Sequence, residues 1–207
     1  MVRDPEPPAS APLRIGLFGG TFDPPHNGHV AVAADVAAAL ALDRVLWIPA
    51  GEPPHKPTLP LTPAPIRLEM VRAATEGDAR FVVSAAEIRR QGPSYTVDTL
   101  REIRDTHVGA ELFLIIGADQ FSAFEHWLDP ESILEMATVV VMDRDGVDAS
   151  ASAPDVKGVD TARFVPVRRV DLSSTELRAR VAAGTDVSAD VPRGVARLIT
   201  SEGLYQR

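Results

Sequence analysis

Two histidines set three residues apart, His26 and His29, close the run Gly19-Gly20-Thr21-Phe22-Asp23-Pro24-Pro25-His26-Asn27-Gly28-His29. Before the run lies Leu13 to Phe18, apolar and short enough for a buried strand; after it lies Val30 to Leu42, rich in Ala, Val and Leu and long enough for a helix. Glycines at such a strand-to-helix crossing let the backbone approach a ligand closely. The free N–H groups and positive dipole end of the helix favour an anion. Both histidines face that anion if the helix begins near Asn27. An imidazole that titrates near neutrality can hold a proton beside a polyphosphate and stay charged there. The chemistry that suits this set is the handling of a phosphate, by positioning and electrostatic stabilisation. The bland alternative is two capping or core histidines beside a tight turn.

A second polar set lies far downstream, at Asp171-Leu172-Ser173-Ser174-Thr175-Glu176-Leu177-Arg178. Ser173 followed three residues later by Glu176 makes a capping box and starts a helix. Hydroxyls and N–H groups at that start also receive phosphate oxygens, and Arg178, one turn in, offers a planar fork of donors to the same charge. Between the two sets stand Pro53-Pro54-His55-Lys56-Pro57, Gly92-Pro93-Ser94-Tyr95-Thr96-Val97-Asp98-Thr99-Leu100, and Ile115-Ile116-Gly117-Ala118-Asp119 leading to Phe124-Glu125-His126-Trp127. Lys56 sits on a proline-stiffened loop and could be a mobile cation for a phosphate or a solvated surface charge. Thr96 is a good N-cap for a helix from Val97 to about Arg104. Gly117 and Asp119 follow a predicted strand at its carboxyl end, where open α/β sheets place ligands. Trp127 is a flat apolar face, for a ring or for the core.

G-G-T-F-D-P-x-H-x-G-H and S-S-T-x-x-R, in this order, resemble the signatures of the nucleotidyltransferase superfamily. With P-P-H-K, S-Y-T-x-D-T, I-G-A-D and F-x-x-W between them, the chain is similar to the bacterial nicotinate mononucleotide adenylyltransferases from about Leu13 to Arg207. The resemblance implies adenylyl transfer from ATP to nicotinate mononucleotide, giving nicotinate adenine dinucleotide and pyrophosphate in NAD biosynthesis without a covalent enzyme intermediate. It implies catalytic roles for His26, His29 and Arg178, and an ATP site made of these with Gly19, Gly20, Thr21, Phe22, Gly117, Asp119, Ser173 and Ser174. Lys56, Thr96 and Trp127 would hold the mononucleotide, Thr96 near the pyridine carboxylate and Trp127 stacked on the ring. Magnesium would be bound mainly through substrate phosphates, with no protein metal ligand. Two departures stand out: Pro25 replaces a bulkier aliphatic residue, and Arg144-Asp145-Gly146 stands where relatives commonly read R-P-G, which puts a negative charge near the expected ATP and leaves Arg144 without a role. Two other functions stay open, a related transferase acting on phosphopantetheine or using CTP, and a nucleotide-binding regulator without turnover.

Composition bounds the rest. With 207 residues and 45% apolar content, the chain can bury one substantial core, and a single domain over residues 13–207 after a proline-rich, acidic tail at 1–12 is expected. The tail has no apolar core and is expected to be loose, unlike a signal or transit peptide. The absence of cysteine excludes disulfides and thiolate chemistry and suits the cytoplasm. A net charge of −8 argues against broad nucleic-acid binding while leaving room for a local phosphate pocket. Val30 to Leu42 is too short to span a bilayer and is broken by Asp35, so no membrane segment is expected. Oligomeric state is open, a homo-oligomer included.

Positioning these groups requires alternating elements. Strand-like runs at Leu13 to Phe18, Val45 to Pro49, Phe81 to Ser84, Leu112 to Ile116, Val139 to Met142 and Phe164 to Val167 alternate with helical segments. That predicts an α/β fold, a doubly wound, mostly parallel Rossmann-like sheet with helices on both faces. Thr62-Pro63 starts a helix through Met70 to Thr75, which Arg67 is expected to cap or cover. Pro192 starts a last helix through Ile199, ended by Gly203, expected on the sheet or over the triphosphate site. Asp143 to Thr161 lacks apolar periodicity and reads as a mobile connection.

Overall fold

The computed structural model describes residues 11–53, 61–143 and 154–206. Among them, short runs rich in Val, Ile, Leu and Phe form six strands: β1 (Arg14–Gly20), β2 (Arg44–Pro49), β3 (Phe81–Val83), β4 (Glu111–Gly117), β5 (Thr138–Asp143) and β6 (Arg163–Pro166). They make one sheet in the order β3-β2-β1-β4-β5-β6, and each neighbouring pair is parallel. A parallel sheet is covered on both faces, which explains why these strands are near-continuous apolar runs. Leu112 to Ile116 of β4, for example, are all buried.

The helices are α1 (Asn27–Ala39), α2 (Ala64–Thr75), α3 (Ala86–Arg89), α4 (Thr96–Thr106), α5 (Ala118–Ser122), α6 (Pro130–Met136), α7 (Ser174–Ala182) and α8 (Arg193–Ser201). Successive strand residues point to opposite faces. On one face Ile15, Leu17, Leu46, Ile48, Leu114 and Ile116 pack with Val97, Leu100 and Ile103 of α4 and with Phe121, Phe124 and Ile133. On the other, Phe18, Val45, Trp47 and Ile115 pack with Val32, Ala33, Val36 and Ala37 of α1 and Val71 of α2. The doubly wound fold is therefore present, and the sheet is wholly parallel among the described strands.

Three local expectations change. Helix α1 starts and stops earlier than Val30 to Leu42. It stops where Ala41 takes φ 47°, and the N–H groups of Leu42 and Ala41 bond back to Ala37 O and Ala38 O at 2.9 and 3.3 Å. This is a Schellman closure with alanine in place of the usual glycine, so no glycine marks the end. Helix α8 packs on α2 and α7 through Met70, Ala74, Leu177, Val195 and Ile199 rather than on the sheet. Of the stretch expected to be a mobile connection, Asp143 ends β5, Val156 is buried in the α4 side of the core, and Val159–Thr161 form a 3-10 turn. Residues 144–153, with Arg144 and Asp145, lie outside the described residues. No described helix is long and apolar enough to cross a membrane.

Candidate active site

Strand order reverses between β1 and β4, the place where open parallel sheets receive ligands beyond their carboxyl ends. The register Leu17 to Leu114 and Phe18 to Ile115 brings the glycine ends of the two strands side by side. Gly19 and Gly20 end β1 and Gly117 ends β4. Gly19 is exposed, Gly20 and Thr21 are half-buried, and Phe22 is buried with φ 50°.

The loop from Gly20 to Asn27 delivers both histidines to the start of α1, as the spacing requires. His26 is the N-cap; its Nδ1 accepts the His29 N–H at 3.3 Å, and the His29 Nδ1 accepts the His26 N–H at 3.2 Å. The rings stack with centroids 3.7 Å apart. Gly28 is needed for this, since a Cβ there would sit 2.9 Å from the His26 Nδ1. His29 also meets the edge of Phe22, at 5.2 Å between centroids. Each Nδ1 accepts, so the neutral rings carry their protons on Nε2. The charged form expected from the sequence would have to give up its capping bond. The pair thus forms a reciprocal cap on α1.

The second motif docks on this loop across more than a hundred residues of sequence. Ser173 caps α7, its Oγ accepting the Glu176 N–H at 3.2 Å, which is the serine half of the expected capping box. Ser174 Oγ donates to Pro24 O at 2.9 Å, and Arg178 Nη1 donates to Asp23 O at 2.7 Å. Ser174 and Arg178 thus hold the histidine loop by its backbone, a task their sequence did not suggest. Arg178 Nη2 also reaches Thr175 Oγ1 at 3.3 Å.

On the β4 side, the Asp119 carboxylate lies over Gly117, with Oδ1 2.6 Å from where a Cβ of that glycine would be. Asp119 is exposed. Thr96 is half-buried and is the first residue of α4, while Tyr95 takes the N-cap position without a side-chain capping bond. The expected cap at Thr96 is therefore shifted by one, and its N–H belongs to the bare first turn. Trp127 follows a 3-10 turn, half-buried, its ring 5.4 Å from that of Phe124. Arg101 Nη2 to Asp129 Oδ2, at 2.8 Å, ties α4 to the Trp127 segment. Lys56 lies outside the described residues.

Three residues to which the sequence assigned no site role, Asp23, Arg67 and Tyr205, belong to the same neighbourhood. Asp23 is 2% exposed; its Oδ1 accepts the Tyr205 hydroxyl at 2.6 Å and its Oδ2 the Thr62 N–H at 3.1 Å. Burial, reinforced by Asp23, pushes the Tyr205 hydroxyl above the ordinary phenol range. Arg67, at 1% exposed, neither caps nor covers α2 but points inward to backbone carbonyls. Burial lowers its pKa, and Asp23 opposes that shift. Among the described residues, no group of three or more His, Cys, Asp or Glu could hold a metal ion.

Comparison with known proteins adds to this geometry. A family model described as cytidylyltransferase-like matches residues 17–180, from β1 through α7. A probable nicotinate-nucleotide adenylyltransferase of Thermus thermophilus is 45% identical over 194 residues, covering 94% of this chain and 100% of that protein. A protein of the same name from Thermomicrobium roseum is 39% identical over 198 residues, with 93% and 92% covered. Among solved structures, the Plasmodium falciparum nicotinic acid mononucleotide adenylyltransferase complexed with NaAD shares the fold, with TM-score 0.69 at 16% identity over 93% of this chain and 97% of that one. Because the matched span contains both the histidine loop and the serine-arginine helix that holds it, and the likeness to the Thermus protein runs nearly end to end, the chain belongs to the cytidylyltransferase-like family of nucleotidyltransferases.

Proposed function

We propose that this chain is a nicotinate-nucleotide adenylyltransferase of NAD biosynthesis, acting in the cytoplasm through one domain over residues 13–207. The observation that carries the reading is the joining of the two motifs, in which Ser174 and Arg178 hold the carbonyls of Pro24 and Asp23 beside the His26 and His29 pair. A loop held this way presents backbone and imidazole donors in fixed positions, the arrangement that stabilises charge developing on a leaving pyrophosphate.

In the proposed mechanism, an oxygen of the mononucleotide 5′-phosphate attacks the α-phosphorus of ATP in line. The new P–O bond forms as the bond to the β-phosphate oxygen breaks, so no protein nucleophile is required. The His26 and His29 Nε2–H groups donate to the triphosphate, Gly19 to Phe22 approach it through the backbone, and the Ser173 hydroxyl, the Ser174 N–H at the start of α7 and Arg178 bind phosphate oxygens. Gly117 leaves room for the Asp119 carboxylate, which accepts from the ribose of the ATP nucleoside. Thr96 and its neighbouring N–H groups read the pyridine carboxylate, Trp127 stacks on the ring, and Lys56 meets the acceptor phosphate. Magnesium bound through phosphate oxygens would supply neutralisation of charge on the leaving group.

The test is pyrophosphate release from ATP and magnesium with nicotinate mononucleotide, nicotinamide mononucleotide, phosphopantetheine and glycerol phosphate in parallel. The expected result is far the best kcat/KM with nicotinate mononucleotide. Release only with another acceptor keeps the transfer chemistry and removes the roles of Thr96 and Trp127. Silence with all four removes the adenylyltransferase reading.

A further inference from the structure

We infer that Arg67 is a positioning residue for the transfer, a buried clamp that fixes the histidine loop against the segment carrying the acceptor side; the inference rests on the adenylyltransferase reading. Its guanidinium is at the start of the buried stripe of α2, with Met70, Val71 and Ala74. Nη1 donates to Thr21 O at 2.8 Å, Nη2 to Gly51 O at 3.2 Å, and Nε to Thr62 O at 2.9 Å. Those carbonyls come from three separate segments: the loop after β1, the segment after β2 and the lead into α2. Asp23, close enough to act on its charge, offsets part of the cost of burying a cation.

Gly51 passes the clamp onward. Its N–H donates to Ser94 Oγ at 3.0 Å, and the Ser94 N–H donates to Glu52 O at 2.9 Å, with Glu52 bridged to Pro93. Ser94 lies two residues before Thr96. A continuous set of hydrogen bonds therefore runs from Thr21, on the triphosphate side, through Arg67 and Gly51 to the start of α4, on the pyridine side. There is no slack at Gly51, because a Cβ there would sit 2.3 Å from the backbone oxygen of Glu87. Only a guanidinium has donors in a rigid fork wide enough for three carbonyls; a lysine ammonium meets fewer of them, and a methionine none. In-line transfer is sensitive to such placement, since a displacement of about 1 Å can cost about 100-fold in rate.

The experiment compares the parent with Arg67→Lys and Arg67→Met, each assayed well below its own unfolding temperature. kcat and both KM values are measured for ATP with nicotinate mononucleotide, and hydrogen exchange is followed across Gly19–His29 and Ala50–Pro53. Expected are a kcat lower by about 100-fold in the methionine variant and about tenfold in the lysine variant, with faster exchange in both segments together and unchanged protection in β4. Should the methionine variant fail to fold, the lysine variant decides. A folded lysine variant with a lower Tm, but kcat and both KM values within twofold of the parent, would overturn the positioning role, as would exchange loosened at α2 alone. A parent inactive with this substrate pair defeats the adenylyltransferase reading instead, and joint loosening of the two segments still decides whether Arg67 clamps them.

Discussion

The histidine loop and the proposed acceptor side sit at the same end of the sheet but are built differently. The histidine loop is held from outside. Carbonyls of Thr21, Asp23 and Pro24 accept from Arg67, Arg178 and Ser174, the Asp23 carboxylate accepts from Tyr205, and the Asn27 N–H donates to Asp190 O. On the acceptor side, Thr96 and Trp127 are half-buried, and α4 begins without a side-chain capping bond. The difference separates two tasks. In the proposed mechanism a triphosphate that must be struck in line needs donors fixed before it arrives, whereas an open first turn and a half-exposed ring leave groups available to read a particular acceptor.

The most damaging change should therefore fall on the prebuilt side and appear in turnover. His29→Ala removes an Nε2–H donor together with half of the reciprocal cap on His26. A kcat lower by about 10²- to 10³-fold is expected, as for loss of a preorganised donor, with a folded protein by circular dichroism and a stability loss of about 1 kcal/mol from the cap. Near-normal turnover in the folded variant would reduce the histidine pair to a capping device and remove one half of the contrast.

On the open side the expected effect is smaller and of another kind. Trp127→Ala should raise the KM for nicotinate mononucleotide by about tenfold, the scale of one aromatic stacking contact, and leave the KM for ATP within about twofold. Steady-state kinetics with each substrate varied in turn give the answer. An equal rise in both KM values would mean that Trp127 works as a core residue through Phe124, and the two sides would no longer be separable by substrate.

The same division explains what could be seen in the sequence. The sheet was legible because each strand is a short apolar run between turn residues, and the histidine loop because glycines, histidines and a helix start are contiguous. Their long-range supports leave weaker marks. Asp23 and Tyr205 are 182 residues apart, and no local pattern joins them. Arg67 did leave a signal, since it falls on the i, i+3, i+4, i+7 stripe with Met70, Val71 and Ala74. An arginine on a buried stripe is forced to find partners inside. Thr96 misled by one position because threonine favours caps, whereas Pro93-Ser94-Tyr95 is already bonded to the segment after β2 and sets where α4 begins.

That bonded segment is also the place where the acceptor side is prebuilt, and pH can reach it. Glu87 is 8% exposed. Its Oε1 accepts the Thr99 hydroxyl at 2.9 Å, and Ser94 also bonds to its carboxylate. Burial is the largest influence and raises its pKa above the ordinary 4.5, against the opposing hydrogen bonds of Thr99 and Ser94. The folded protein then keeps a proton in an interval of pH where the unfolded chain has released it. The stability due to Glu87 is fully present below about pH 4.5 and is lost as pH rises through the folded-state value. Glu87→Gln removes that titration with little change in volume. Urea midpoints for both proteins between about pH 4 and 7.5 should show the parent losing stability relative to the variant as pH rises. A difference that stays flat across the range would mean that the hydrogen bonds to Glu87 cancel its burial, so that the backing of Thr96 is held as firmly in its ionised form as in its protonated one.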